Sequence, residues 1–267
     1  VDGIGDGIGG KPEAGAAEGR ARRFRLWHRD IAQAAHAIGK PEFPLCLETA
    51  LRQLVSFQMM NGFAYSHDGV ASDLCSERVV GTRAMIVDRY LAGSYVLDPF
   101  FDALHRFSAD TLLVMRRIAP DRFAETEYFR QHYGATGIVD EIGFILKLRH
   151  VDAILSLSRM GAERPFSARD VRTLEDAAPL IRFLAERHWA DHRKPGAART
   201  VAAASLSNPA LTRRENEIVS LILKGHSSLS IAAVLDLSPN TVKVHRRQIY
   251  AKLRISSQAE LFHLFLG

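Results

Sequence analysis

The stretch SPNTVKVHRRQIYAKL, residues 238 to 253, constrains this chain more than any other of its length. Ser238 suits a helix N-cap, and Pro239 suits the first helical position, where its missing N–H costs nothing. The spacing therefore predicts a helix from Pro239 onward. With Asn240 set at zero and an advance of about 100° per residue, Lys243, Val244 and Arg247 fall at roughly 300°, 40° and 340°, whereas Val242, Ile249 and Leu253 fall at roughly 200°, 180° and 220°. One face is apolar and needs a partner. The opposite face is basic.

The partners precede it. In LTRRENEIVSLILKG, Thr212 and Glu215 have the spacing of a capping box, Ile218, Leu221 and Ile222 form an apolar stripe, and Gly225 offers a stop. SSLSIAAVLDL then predicts a short helix with Ile231 and Val234 directed inward. Three short helices, the last two nearly adjacent, fit a helix-turn-helix. Charge agrees: residues 207 to 267 hold eight Lys and Arg against four Asp and Glu, while the preceding residues hold 27 against 26. Exposed Lys243 and Arg247 suit base acceptors or phosphates, and Val244 suits a thymine methyl, with Asn240 and Thr241 beside them. Arg246 and Tyr250 lie to the side, where contact with the phosphate backbone fits better. His245 falls toward the buried side and reads as a satisfied core or boundary histidine. A plain solvated helix face is the alternative for the basic stripe.

These residues resemble the LuxR-type bacterial transcription regulators over about residues 208 to 265. Leu211, Thr212, Arg214, Glu215, Glu217 and Ile218 match the opening of that pattern. Gly225, Ser227, Ile231, Ala232, Leu235 and Ser238 match its middle, and Thr241, Val242, His245, Ile249, Lys252 and Leu253 its end. The resemblance implies a four-helix domain that binds double-stranded DNA through its third helix, commonly as a homodimer. It favours activation over repression, with RNA polymerase as a further partner. The last helix would be SSQAELFHLFL, whose Leu261, Leu264 and Phe265 serve either the core or a dimer interface. Leu229 and Ser230 depart from the family's basic and Glu residues, which implies fewer polar DNA contacts from the second helix.

Upstream, the pattern is mixed. Residues 1 to 20 are rich in Gly and Ala and read as a flexible tail, and GIGDGIGGK lacks the strand context and final hydroxyl of a phosphate loop. Helical periodicity is expected over Phe24 to Ala37, in LCLETALRQLVSFQM, and from Ser167 as a cap through SARDVRTLEDAAPLIRFLAERHWA. GFAYSHDG and the two halves of EIGFILKLRHVDAILSLSRM read as strands, the last pair joined by an RHVD turn, and DTLLVMRRIAP contains another short apolar strand. The fold class expected is an α/β sensor domain with an antiparallel sheet over residues 21 to 191, a linker over 192 to 207, and an all-α DNA-binding domain over 208 to 267. No long apolar run suggests a membrane segment, no signal peptide is evident, and cytoplasmic residence is the default. Cys46 and Cys75 read as reduced core residues, and zinc-ligand spacings are absent, so no metal or other cofactor is expected.

The sensor's input is less legible. A phosphorylatable receiver does not fit its length or acidic pattern. YLAGSYVLDPFF supplies Tyr90, Tyr95, Phe100 and Phe101 as aromatic walls and Asp98 as a group that orients an amide, hydroxyl or amine. Asp98 and Pro99 loosely resemble the domains of LuxR-type receptors that bind acyl-homoserine lactones, without their tryptophan pattern. A GAF- or PAS-like sensor for another small molecule is the broader fit. Core packing, with Asp98 as a cap, is the structural alternative. Tyr128, Phe129, Tyr133, Asp140 and Glu141 read first as packing, although an acidic pair also suits a cationic ligand. Three functional alternatives stand beside a ligand-responsive regulator: an acyl-homoserine-lactone receptor, a constitutive or protein-controlled regulator with a vestigial sensor, and an N-terminal enzyme joined to a DNA-binding module. For the last, His67 and Asp68 supply raw material, but no nucleophile elbow or zinc-protease motif organises it.

Overall fold

The computed structural model describes residues 11–66, 69–75, 82–109, 111–192 and 206–266. His67 and Asp68, and most of the expected linker, lie outside them. The strands are β1 (Met59–Tyr65), β2 (Ala71–Asp73), β3 (Leu112–Val114), β4 (Ile138–Lys147) and β5 (Asp152–Met160). They form one antiparallel sheet in the order β2-β1-β5-β4-β3. The N-terminal helices are α1 (Lys11–His36), α2 (Phe43–Leu54), α3 (Thr82–Leu91), α4 (Pro99–Ala103), α5 (Met115–Ile118), α6 (Glu127–Phe129) and α7 (Ala168–His188). Four more follow: α8 (Arg213–Lys224), α9 (Ser228–Leu235), α10 (Pro239–Leu253) and α11 (Gln258–Leu266).

The pleat sorts the sheet's side chains onto two faces. Met60, Ala64, Ile142, Phe144, Leu146, Leu155 and Leu157 point to one side, where they bury Phe43, Leu47 and Leu51 of α2 and Val171, Leu174 and Ile181 of α7. Phe63, Tyr65, Ile145 and Ile154 point to the other, toward Tyr90 of α3, Tyr95, and Phe100 of α4. The expected RHVD hairpin is present, and Ser167 and Asp170 complete a capping box at the start of α7. Two expectations on helices need correction. The helix expected from Phe24 begins at Lys11, so the part of the expected tail from there on is helical. The second helix stops at Leu54 because Val55 turns extended, at φ −142° and ψ 152°, ahead of β1.

In the C-terminal unit Ile218, Ile222, Ile231, Val242, Ile249 and Leu261 are fully buried. Val234 does not turn inward; it is 56% exposed. The packed side of α9 runs through Ile231, Ala232 and half-buried Leu235, so the i+4 residue takes the place expected of i+3. Gly225 ends α8 in the left-handed region at φ 95°, as its type predicts. Glu215 carries a second duty beyond its capping box: Lys252 Nζ of α10 donates to both its oxygens, at 2.8 and 2.7 Å. The Lys252 contact and the Thr212 N–H hold this carboxyl below the usual carboxylate range, against the desolvation that would raise it.

Glu215→Gln is predicted to cost ~1–3 kcal/mol at neutral pH, discounted because Lys252 is partly solvated. A lowered carboxyl stabilises the fold above its unfolded pKa and loses that contribution as pH falls through its folded value. Urea titrations of both proteins should therefore converge as pH drops below about 4. A gap that persists in acid would show that the loss is not electrostatic.

Candidate nucleic-acid interface and buried sensor site

At α10, Ser238 Oγ accepts the Thr241 N–H at 3.0 Å, and Pro239 opens the first turn, which fixes the start of the helix. Asn240, Lys243, Val244 and Arg247 are exposed, with Val244 at 51%, while Thr241, Arg246 and Tyr250 are half-buried on the flanks. The face opposite is the one that packs, since Val242 and Ile249 are fully buried. Among the described residues Lys243, Arg246 and Arg247 have no ion-pair partner, whereas Lys252 at the far end is tied to Glu215. The basic charge is thus left available to an outside acceptor. His245 is half-buried, but its Nδ1 is buried without a hydrogen-bond partner, so it is not the satisfied histidine that the helical angle suggested.

The sensor residues converge on the second face of the sheet. Tyr90, Tyr95, Asp98 and Phe100 are buried and Phe101 is half-buried. Asp98 Oδ1 accepts the Phe100 N–H at 2.8 Å and so caps α4, while Oδ2 accepts the Tyr90 hydroxyl at 2.7 Å. The Tyr90 and Tyr65 hydroxyls meet at 2.5 Å. Tyr95 donates to the Gly69 carbonyl, and its ring lies 5.4 Å from Phe101 and 6.0 Å from Tyr65. Phe100 plays a different part. It packs on β4 at Gly143, where a Cβ would come within 3.1 Å of its ring, so it holds α4 to the sheet.

Sequence reasoning named Glu141 and Tyr133 at the border of this site but missed Asn61, Ser156 and Ser158. Asn61, Ser156, Ser158 and Glu141 alternate with apolar residues along β1, β5 and β4, and the register sets Asn61 opposite Ser156 and Glu141 opposite Ser158. All four are buried. Glu141 accepts from the Tyr133 hydroxyl at 2.8 Å and from Ser158 Oγ at 3.1 Å. Asp140 does not join it: the pleat sends it to the other face, where it pairs with Arg116 and accepts the Phe166 N–H at 2.9 Å. The pair adjacent in sequence is therefore split, and Glu141 faces Asp98 electrostatically instead. Burial, and then the Glu141 charge, push Asp98 up to about 7. Burial likewise raises Glu141, opposed by its hydroxyl donors, and raises the phenols of Tyr65, Tyr90, Tyr128 and Tyr133. His132, stacked 5.3 Å from Tyr128, is pushed down to about 4 by burial and by Arg89.

The helix that Asp98 caps also reaches the C-terminal unit. Asp102, one turn along α4, accepts from Lys224 Nζ at 2.7 Å. Nearby, the Arg122 N–H donates to the Gly225 carbonyl at 2.9 Å, and Asp121 Oδ1 accepts the Ser227 N–H at 2.9 Å. Gly225 is pressed so closely on Phe123 that a Cβ would approach its Cα at 2.7 Å.

A carboxyl with a raised folded pKa binds its proton more tightly folded than unfolded, so its ionisation opposes folding. Relative to Asp98→Asn, the wild-type chain should lose stability as pH rises from about 4 to about 8, by an amount on the order of a few kcal/mol. Denaturant titrations of the two proteins across that range check this, and a constant difference would contradict it.

With this geometry in place, comparisons with known proteins agree on its class. Residues 209–265 match the family described as bacterial regulatory proteins, luxR family. The chain is 33% identical to an HTH-type transcriptional regulator of Aeromonas salmonicida over 64% of its own length and 93% of the relative's. It is 30% identical to the monoamine regulon transcriptional regulator of Klebsiella aerogenes over 65% of its own length and 69% of the relative's. In fold, it is similar to the VqsR LBD domain from Pseudomonas aeruginosa, with a TM-score of 0.52 and 22% identity over 61% of this chain and 95% of that one. A two-faced α10, a capped three-helix core beneath it and a 33% identical relative matched along 93% of its length leave one conclusion: the chain belongs to the luxR family of bacterial transcriptional regulators.

Proposed function

We propose that this regulator changes its hold on DNA when a small molecule occupies the buried polar site between the sheet and α3–α4. One observation carries the reading: the carboxylate that caps α4 lies in that site, and the next turn of the same helix is ion-paired to Lys224 of the C-terminal unit. A ligand that takes Asp98 away from the Phe100 N–H or from Tyr90 would shift α4 and so bias the Asp102–Lys224 contact. Its effect equals its differential affinity for the two arrangements. The division into a sensor over 21–191, a linker over 192–207 and a DNA-binding unit over 208–267 follows the same logic.

On the DNA side, α10 enters the major groove. Asn240, Lys243, Val244 and Arg247 face base edges, and Thr241, Arg246 and Tyr250 face the backbone. Tyr90, Tyr95, Asp98 and Phe101 line the effector site, with Phe100 as the strut behind it. The protein acts in the cytoplasm as a homodimer through α11, where Leu261 is core and Leu264 is 50% exposed, and activates by contact with RNA polymerase. No described helix is long and apolar enough to cross a membrane.

Arg247→Ala tests the DNA reading. It should weaken binding to a cognate site more than to scrambled DNA, with ~1–3 kcal/mol of discrimination lost if Arg247 makes a bidentate base contact. Equal losses on both sequences, read by fluorescence anisotropy at one salt concentration, would remove its base-reading role.

A further inference from the structure

Among the described residues six acids are buried: Asp30, Glu48, Asp98, Asp140, Glu141 and Glu215. Four have a basic partner, namely Asp30 with Arg29, Glu48 with Arg52, Asp140 with Arg116 and Glu215 with Lys252. The two exceptions are Asp98 and Glu141. They are electrostatic neighbours in one site, and every hydrogen bond they accept comes from a neutral group: Tyr90 and the Phe100 N–H for Asp98, and Tyr133, Ser156 and Ser158 for Glu141. Burying one carboxylate with neutral donors alone is costly, and burying two side by side compounds the cost. His132 does not supply the missing cation, because burial and Arg89 keep it neutral.

A second observation in the same place points to a guest. The Tyr128 hydroxyl is buried and coupled to both carboxylates, yet it has no hydrogen-bond partner. An orphaned buried hydroxyl is costly, and phenylalanine at the same place would avoid that cost. Tyr65, Tyr90 and Tyr128 also belong to the buried cluster around the site, and aromatic rings attract cations.

Building on the ligand-responsive reading above, we infer that the effector carries a protonated amine whose ammonium group sits between Asp98 and Glu141, with the Tyr128 hydroxyl completing its polar shell. The apolar remainder of the effector rests against the rings of Tyr65, Tyr95 and Phe101. The ammonium donates N–H groups to both carboxylates and neutralises the charge that the fold leaves unpaired. A neutral amide N–H would satisfy Asp98 and leave Glu141 as it is.

The test uses the full chain and four probes: 2-phenylethylamine and n-octylamine, each beside the neutral alcohol of the same skeleton, titrated calorimetrically. At least one amine should bind one per subunit and at least tenfold more tightly than its alcohol. Glu141→Gln should abolish that preference, weakening the amine about tenfold while leaving the alcohol unchanged. Tyr128→Phe, which removes only the hydroxyl, should weaken the amine by a smaller factor and covers the case in which Glu141→Gln fails to fold. Amines and alcohols binding alike, or an amine preference untouched in either folded variant, would overturn the cationic effector and leave the ligand-responsive reading standing. No binding by any of the four probes would overturn both.

Discussion

The two-residue pleat of β4 and β5 is the constraint on which the rest of this molecule depends. Because successive side chains point to opposite faces, one pair of strands serves two incompatible environments. Ile142, Phe144, Leu155 and Leu157 close a dry core against α2 and α7, while Glu141, Ser156 and Ser158, each one residue away, build a buried polar patch on the reverse side. A one-residue slip in register would put the carboxylate into the apolar core and the leucines against the tyrosines. The nine-residue ladder between the strands, with its single irregularity between Ile138 and Asp140, prevents that slip. It also separates Asp140, which is neutralised by Arg116, from Glu141, which is not.

Polar groups buried in this way are bonded to the backbone around them, and Asp98 is the point where the proposed coupling begins. Its carboxylate is shared between a side-chain donor within the site and the first free N–H of α4, so a change at one bond is felt at the other. Helix α4 is short, and Phe100 packs it against Gly143 of the sheet. Its next turn carries Asp102, paired with Lys224 at the end of α8. Gly225, pressed on Phe123, completes a junction that tolerates no added side chain. The proposed coupling needs no element beyond these.

Local signals in the sequence were faithful where local chemistry decides. The capping box at Thr212, the caps at Ser167 and Ser238 and the stop at Gly225 each depend on a few neighbouring residues, and each occurs as spacing predicts. The basic face of α10 was legible for the same reason, since helical angle alone separates Arg247 from Ile249. The site on the sheet was most legible in its α3–α4 half, where Tyr90, Tyr95 and Asp98 lie within one stretch, while Glu141 was legible only as one of an adjacent acidic pair. Asn61, Glu141, Ser156 and Ser158 come together through the register of three strands, which no local window contains, although the Ser-Leu-Ser alternation in β5 was a visible trace. Val234 and His245 were misjudged because a helical wheel gives direction but not what stands opposite. On α9 the neighbours favour Leu235, and at His245 they offer no partner for Nδ1.

The central claim is that the buried acid site and the DNA-binding unit form one coupled device through α4. A double-mutant cycle on DNA affinity tests it without knowledge of the effector, using Asp98→Asn and Lys224→Met alone and together in the full chain. Coupling predicts that the double variant departs from the sum of the single effects by about 0.5–3 kcal/mol. Effects that add to within about 0.5 kcal/mol would contradict the account, because sites that do not communicate behave that way.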